Sequence, residues 1–149
     1  MIIVISGQPG IGKSTVCLRI LEEAVRRGIS CGGIVTTKSE NWSIVIRDVA
    51  TGEERTLAQR DRPTGGPQAG RYHFEPAALA FGMKAIQRGA VADLLLVDEL
   101  GHLEIWDGGF VDAIPVLNRR EKPSVAVIRD ELLDALLPRF TRPPAVMHT

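Results

Sequence analysis

The chain has 149 residues, 44% hydrophobic and 24% charged, which suits one globular domain with its own core and argues against a fibre or a disordered tail. Lysine plus arginine and aspartate plus glutamate both number 18, so no global field draws the chain to nucleic acid or to an anionic membrane. Two cysteines, Cys17 and Cys31, make neither a disulfide framework nor a metal-ligand pattern, and no apolar run nears the roughly 20 residues of a membrane span.

The apolar start, residues 1–5, stops at Ser6-Gly7 without a basic leader; it is too short for a signal peptide, and a cytoplasmic location is expected. Residues 2–5 are continuous, β-branched and closed by glycine, the pattern of a short buried strand. A helix is predicted over 14–27, with Cys17, Leu18, Leu21, Ala24 and Val25 on one face and Gly28 as its stop. A second strand follows at 32–36. Residues 42–49 and 53–57 read as a β-hairpin turning at Ala50-Thr51-Gly52, and their polar content makes them edge or partly exposed strands, away from the sheet centre. Residues 58–71, rich in glycine, proline and arginine, read as one long loop.

Pro76 opens a helix that ends at Gly89, with Leu79, Met83 and Ile86 marking one face. Leu94-Leu95-Leu96-Val97 is a buried strand running into Asp98 and Glu99. A helix over 109–119 turns Phe110, Ile114 and Leu117 inward, and Pro115 bends it or delays its start. A further strand spans 124–128. Asp130 is placed to cap a helix that Pro138 stops, and a last short strand is expected near 145–147. Apolar strands alternating with helices predict an α/β layer structure with a mostly parallel sheet.

Chemistry concentrates first at residues 7–15. Gly7, Gln8, Pro9, Gly10, Ile11, Gly12, Lys13, Ser14 and Thr15 fit G-x-x-x-x-G-K-S, between an apolar strand and an amphipathic helix as that phosphate loop requires. Glycines let backbone N–H groups turn inward around phosphate oxygens, and the helix adds its free N–H groups and positive dipole end. Lys13 is a mobile charge for the β- and γ-phosphates, and the Ser14 hydroxyl is a ligand for Mg²⁺.

The second centre is the end of the Leu94–Val97 run. In open α/β sheets functional groups gather at the carboxyl ends of strands. Asp98 there holds Mg²⁺ directly or through water, and Glu99 orients or deprotonates an attacking water. Arg55, Arg60, Arg62 and Arg71 surround the long loop, and read either as arginines that stabilise transferred phosphate or as a solvated surface. Lys38, Glu40 and Asn41 follow the second strand and are placed to touch nucleotide or acceptor. Glu104 reads as a site residue or as a cap for the next segment. His102, His73 and His148 have no converging partners for a metal. Cys17 reads as packed core, and Trp42 and Trp106 are too far apart in sequence to imply a stacking platform.

Three blocks resemble the THEP1-type nucleoside-triphosphatases: residues 7–15; Gly32-Gly33-Ile34-Val35-Thr36-Thr37 with the hairpin after it; and Val97-Asp98-Glu99-Leu100-Gly101-His102-Leu103-Glu104. Gly70-Arg71-Tyr72 also resembles the family's glycine-lysine-tyrosine step. The resemblance implies a RecA-like, three-layer α/β P-loop fold with a mixed central sheet and an inserted antiparallel hairpin. It also implies slow, Mg²⁺-dependent hydrolysis of several nucleoside triphosphates to diphosphate and phosphate. By the same resemblance, residues 7–15 hold phosphate, Ser14 and Asp98 organise Mg²⁺, and Glu99 is the acid–base residue. Thr37-Lys38-Ser39 departs from the glutamate and arginine that family members usually carry there, and a lysine cannot form the arginine fork. Two other functions remain open on the residues: a small-molecule or nucleotide kinase, for which the sequence reveals no acceptor pocket, and a nucleotide switch activated by a partner. Base preference and oligomeric state are not encoded in any motif.

Overall fold

The computed structural model describes residues 1–8, 13–105 and 108–149, with only the backbone described at Lys13, His102 and Ile105. The strands are β1 (Ile2–Gly7), β2 (Cys31–Lys38), β3 (Ile44–Asp48), β4 (Glu54–Arg60), β5 (Gln68–Ala69), β6 (Tyr72–Phe74), β7 (Leu94–Leu100), β8 (Ser124–Arg129) and β9 (Ala145–His148). They form one sheet in the order β5-β6-β4-β3-β2-β7-β8-β1-β9. The helices are α1 (Lys13–Arg26), α2 (Pro76–Gly89), the short α3 (His102–Ile105), α4 (Ala113–Arg119) and α5 (Leu133–Leu136), the last flanked by 3-10 turns.

Strand alternation distributes the apolar side chains to both faces. Ile5, Val35, Leu96, Val125 and Val127 face α1 and pack with its Cys17, Val16, Ile20 and Leu21. Their neighbours Val4, Ile34, Leu95, Val97, Ala126 and Ile128 face the opposite side, with α2 and α4. Near-continuous apolar strands covered on both faces are what a parallel sheet needs. The end of α1 is a glycine cap. Gly28 at φ +70° lets its own N–H reach the Val25 carbonyl, and the Ile29 N–H reach the Ala24 carbonyl.

The sheet is mixed, as the family resemblance implies, and its antiparallel part is larger than the alternation of strands and helices alone predicts. β2, β7, β8, β1 and β9 run parallel, whereas β3, β4, β6 and β5 each pair antiparallel with their neighbours. The long loop expected over 58–71 holds in its middle, where 61–67 carry no strand, and loses its ends to this half: β4 continues to Arg60, and β5 takes Gln68–Ala69. Short strands with polar side chains do not announce themselves by alternation. The hairpin strands β3 and β4 are interior in the sheet order, with Ile46, Leu57 and Ala58 buried, and β5 takes the edge.

Helix α2 reaches the sheet through small residues. Leu79 and Met83 are half-buried, whereas Ala78, Gly82, Ala85, Ile86 and Gly89 are buried. A Cβ on Gly32 would lie 2.5 Å from the Gly89 Cα, so helix and strand backbones meet. The helix expected from 109 starts at Ala113, and Pro115 sits within its first turn, where a missing N–H costs little. Asp130 does not cap a helix through its side chain. Its carboxylate instead accepts a 2.5 Å hydrogen bond from the Ser6 hydroxyl, and α5 is shortened by its 3-10 flanks. Among the described residues, no helix is long and apolar enough to cross a membrane.

Candidate active site

The parallel half of the sheet brings four strand ends together. In β1 and β8, Gly7 stands opposite Arg129; β7 ends beside them with Asp98 and Glu99, and β2 adds Thr36. The Ser14 hydroxyl, in the first turn of α1, donates to Asp98 Oδ2 at 3.1 Å and lies 3.3 Å from the Thr36 carbonyl oxygen. Asp98 is buried at 1% exposure. Its charge, after burial itself, also pushes the Cys17 thiol upward, so Cys17 stays protonated and inert as packed core.

Glu99, next in the strand, turns away from this pair. It is partly exposed, and Arg129 Nε lies 3.4 Å from its Oε1. Both residues line a cleft of about 740 Å³ that also reaches Thr36, Lys38, Trp42 and Tyr72. Arg129 was not among the sequence candidates. Its signal was present: it follows the buried run Ser124–Ile128 at the carboxyl end of a strand, the rule that singled out Asp98.

The remaining candidates separate. Pro9, Gly10, Ile11 and Gly12 lie outside the described residues, as does the Lys13 side chain; Gly7 and Gln8 close β1, and Ser14 and Thr15 open α1. Glu104 is buried and accepts hydrogen bonds from the Gly101 N–H at 2.8 Å and the Phe110 N–H at 3.0 Å. Burial raises its pKa, the two backbone donors oppose that, and the Glu99 charge adds a smaller rise. Glu104 therefore fastens the segment that follows Glu99, and its bond from the Gly101 N–H caps the start of α3. Arg71 is exposed and held by Asp61, with Nε 3.0 Å from Oδ1. That pairing places Asp61 well below, and Arg71 above, its ordinary pKa. Lys38 lies over the Tyr72 ring, 5.7 Å from its centroid.

Mg²⁺ prefers hard oxygen ligands and in nucleotide sites takes only one or two from protein, with phosphate and water supplying the rest. Ser14 and Asp98 offer a hydroxyl and a carboxylate oxygen at that spacing, so the donor set fits. Among the described residues no group of three His, Cys, Asp or Glu gathers into a metal cluster.

A phosphate-loop sequence between β1 and α1, with an acidic strand separated from β1 by one intervening strand, fits a P-loop NTPase-like α/β protein. A protein-family profile described as NTPase matches residues 2–148. The nucleoside-triphosphatase THEP1 of Methanosarcina acetivorans is 32% identical, covering 94% of this chain and 82% of that protein. The corresponding protein of Thermofilum pendens is 35% identical over 85% of this chain and 72% of its own length. The crystal structure of THEP1 from Aquifex aeolicus superposes with a TM-score of 0.79 at 21% identity, over 99% of this chain and 88% of that one, which establishes the shared fold. The chain belongs to the THEP1-type nucleoside-triphosphatase family of P-loop enzymes.

Proposed function

We propose that this protein hydrolyses nucleoside 5'-triphosphates, ATP and GTP among them, to the diphosphate and phosphate with Mg²⁺. The observation that carries the reading is the 3.1 Å contact of Ser14 with buried Asp98, beside a partly exposed Glu99. Residues 7–15 hold the triphosphate through backbone N–H groups and the amino end of α1. Lys13 neutralises charge on the β- and γ-phosphates. Ser14 and Asp98 would hold Mg²⁺, which supplies further charge neutralisation on the same oxygens. Glu99 accepts the proton of the attacking water, and Arg129 holds that carboxylate in orientation.

Phosphate release from purified protein with Mg²⁺ and each NTP tests the reading. Release that needs both NTP and Mg²⁺ is the expected result. Release unaffected by a metal chelator would reject the role given to Ser14 and Asp98.

A further inference from the structure

The cleft at Glu99 is larger than a lytic water needs. Its 740 Å³ is within the range of small-molecule sites. Its apolar lining comes from Ile44, Leu57, Phe74 and Leu79, and the Glu99–Arg129 pair lines it too. Two aromatic rings line it, each with a cation over it: Arg60 is 4.8 Å from the Trp42 centroid, and Lys38 lies over Tyr72. Trp42 is 56% exposed although its side chain is large and apolar. Its backbone sits at φ +64°, a left-handed conformation uncommon outside glycine and asparagine, in a turn closed by its own N–H to the Ser39 carbonyl at 3.1 Å. Such local strain is concentrated at ligand sites.

The ion pairs of the cleft leave one lining cation, Lys38, for an anion. Lys38, Arg60, Arg71 and Arg129 line it against two carboxylates, Glu99 and Glu104. Glu99 is paired with Arg129, and Glu104 is spent on backbone N–H groups. Asp61 engages Arg71 and, at 3.9 Å, Arg60. Lys38 has no carboxylate partner among the described residues, and its only recorded contact is the Tyr72 ring. Arg129 is held by Glu99 and, at 3.9 Å, by Glu131. A planar ring with an attached phosphate matches these features: the ring stacks on an aromatic face, and the phosphate meets Lys38, the lining cation left without a carboxylate.

We infer that this cleft is an acceptor site for a nucleoside monophosphate, to which the enzyme transfers the γ-phosphoryl group in place of water. The inference rests on the hydrolase reading above, because it uses the same triphosphate site. A deprotonated phosphate oxygen of the acceptor attacks the γ-phosphorus and forms the new P–O bond. The bond from the γ-phosphorus to the β–γ bridging oxygen breaks, and the departing diphosphate keeps the electron pair. No base is required, since the acceptor oxygen carries no proton. Hydrolysis differs only in that water stands beside Glu99, which takes its proton.

The test follows the label of γ-radiolabelled ATP or GTP with Mg²⁺, without and with millimolar AMP, GMP, CMP or UMP. The expected result is label in the diphosphate made from an added monophosphate. Trp42→Ala should lower the ratio of transfer to hydrolysis by roughly tenfold or more through a higher acceptor KM. Lys38→Gln should act in the same direction, and serves if the Trp42 variant folds poorly. Label found only as inorganic phosphate with every monophosphate overturns the acceptor site and leaves the hydrolase reading standing. Transfer with a ratio unchanged in both variants overturns the assignment to this cleft. If no label leaves the triphosphate under any condition, both readings fall.

Discussion

Glu104→Ala removes a carboxylate that accepts from two backbone donors, the N–H groups of Gly101 and Phe110. A hydrogen bond to a charged acceptor contributes about 1.5–3 kcal/mol, and the two donors would be left in a buried pocket. Against this, burial already disfavours the charged carboxylate, as its raised pKa records. The net expected loss of stability is about 2–4 kcal/mol. Glu104→Gln retains one acceptor oxygen and turns an amide against the other donor, so it should cost about half as much. Urea unfolding of the three proteins measures both. The pH dependence has a definite sign. The folded pKa of Glu104 is above the unfolded one, so the unfolded state releases its proton first, and this group's contribution to stability falls as pH rises from about 4.3 toward the folded value. The gap between wild type and Glu104→Gln should therefore shrink over that interval and stay constant above it. A loss below about 1 kcal/mol for Glu104→Ala, or a gap that widens with pH, would refute the clamp.

Glu99→Gln should bind Mg–NTP as wild type does and lose about 10²–10⁴-fold in kcat, measured by equilibrium titration and phosphate release. Asp98→Asn should raise the half-saturating Mg²⁺ concentration by at least about tenfold, read from metal titration of turnover. Gly33→Ala should cost about 3 kcal/mol or more in urea unfolding, because Gly33 sits at φ +102° and an added Cβ would lie 1.9 Å from the Leu96 carbonyl oxygen. Lys13→Ala should raise the Kd for triphosphate sharply in the same titration used for Glu99→Gln.

The features legible in the sequence were those written in contiguous residues. The buried strands β1, β7 and β8 and the helices α1 and α2 each declare themselves within a dozen or so residues. The extent of the antiparallel half was less readable. Its strands β5 and β6 have two and three residues, and their pairing is fixed by partners already in the sheet. Pro115 delayed α4 as its chemistry requires, but where the helix would start depended on the turn that positions Phe110. Asp130 shows how a local rule loses to a distant partner: a residue well suited to cap a helix is claimed by Ser6, 124 positions away.

The same division runs through the site. Its phosphate side is local, since residues 7–15 carry the loop, the lysine and the hydroxyl together. Its γ-phosphate side is assembled from afar. Ser14 meets Asp98 across 84 positions, and the cleft beside Glu99 draws on β2, the turn at Trp42, β6 and β8. The rule that strand ends carry function predicted the place of Asp98 and, applied to β8 as well, would have found Arg129. No comparable rule points to Trp42, Arg60 and Tyr72. They come from separate elements, and only the antiparallel extension of the sheet sets them around one space. On the proposed reading, triphosphate binding is encoded in a motif and the choice between water and another acceptor in tertiary packing, so substitutions in the 38–72 region should alter that choice and leave the Kd for triphosphate unchanged.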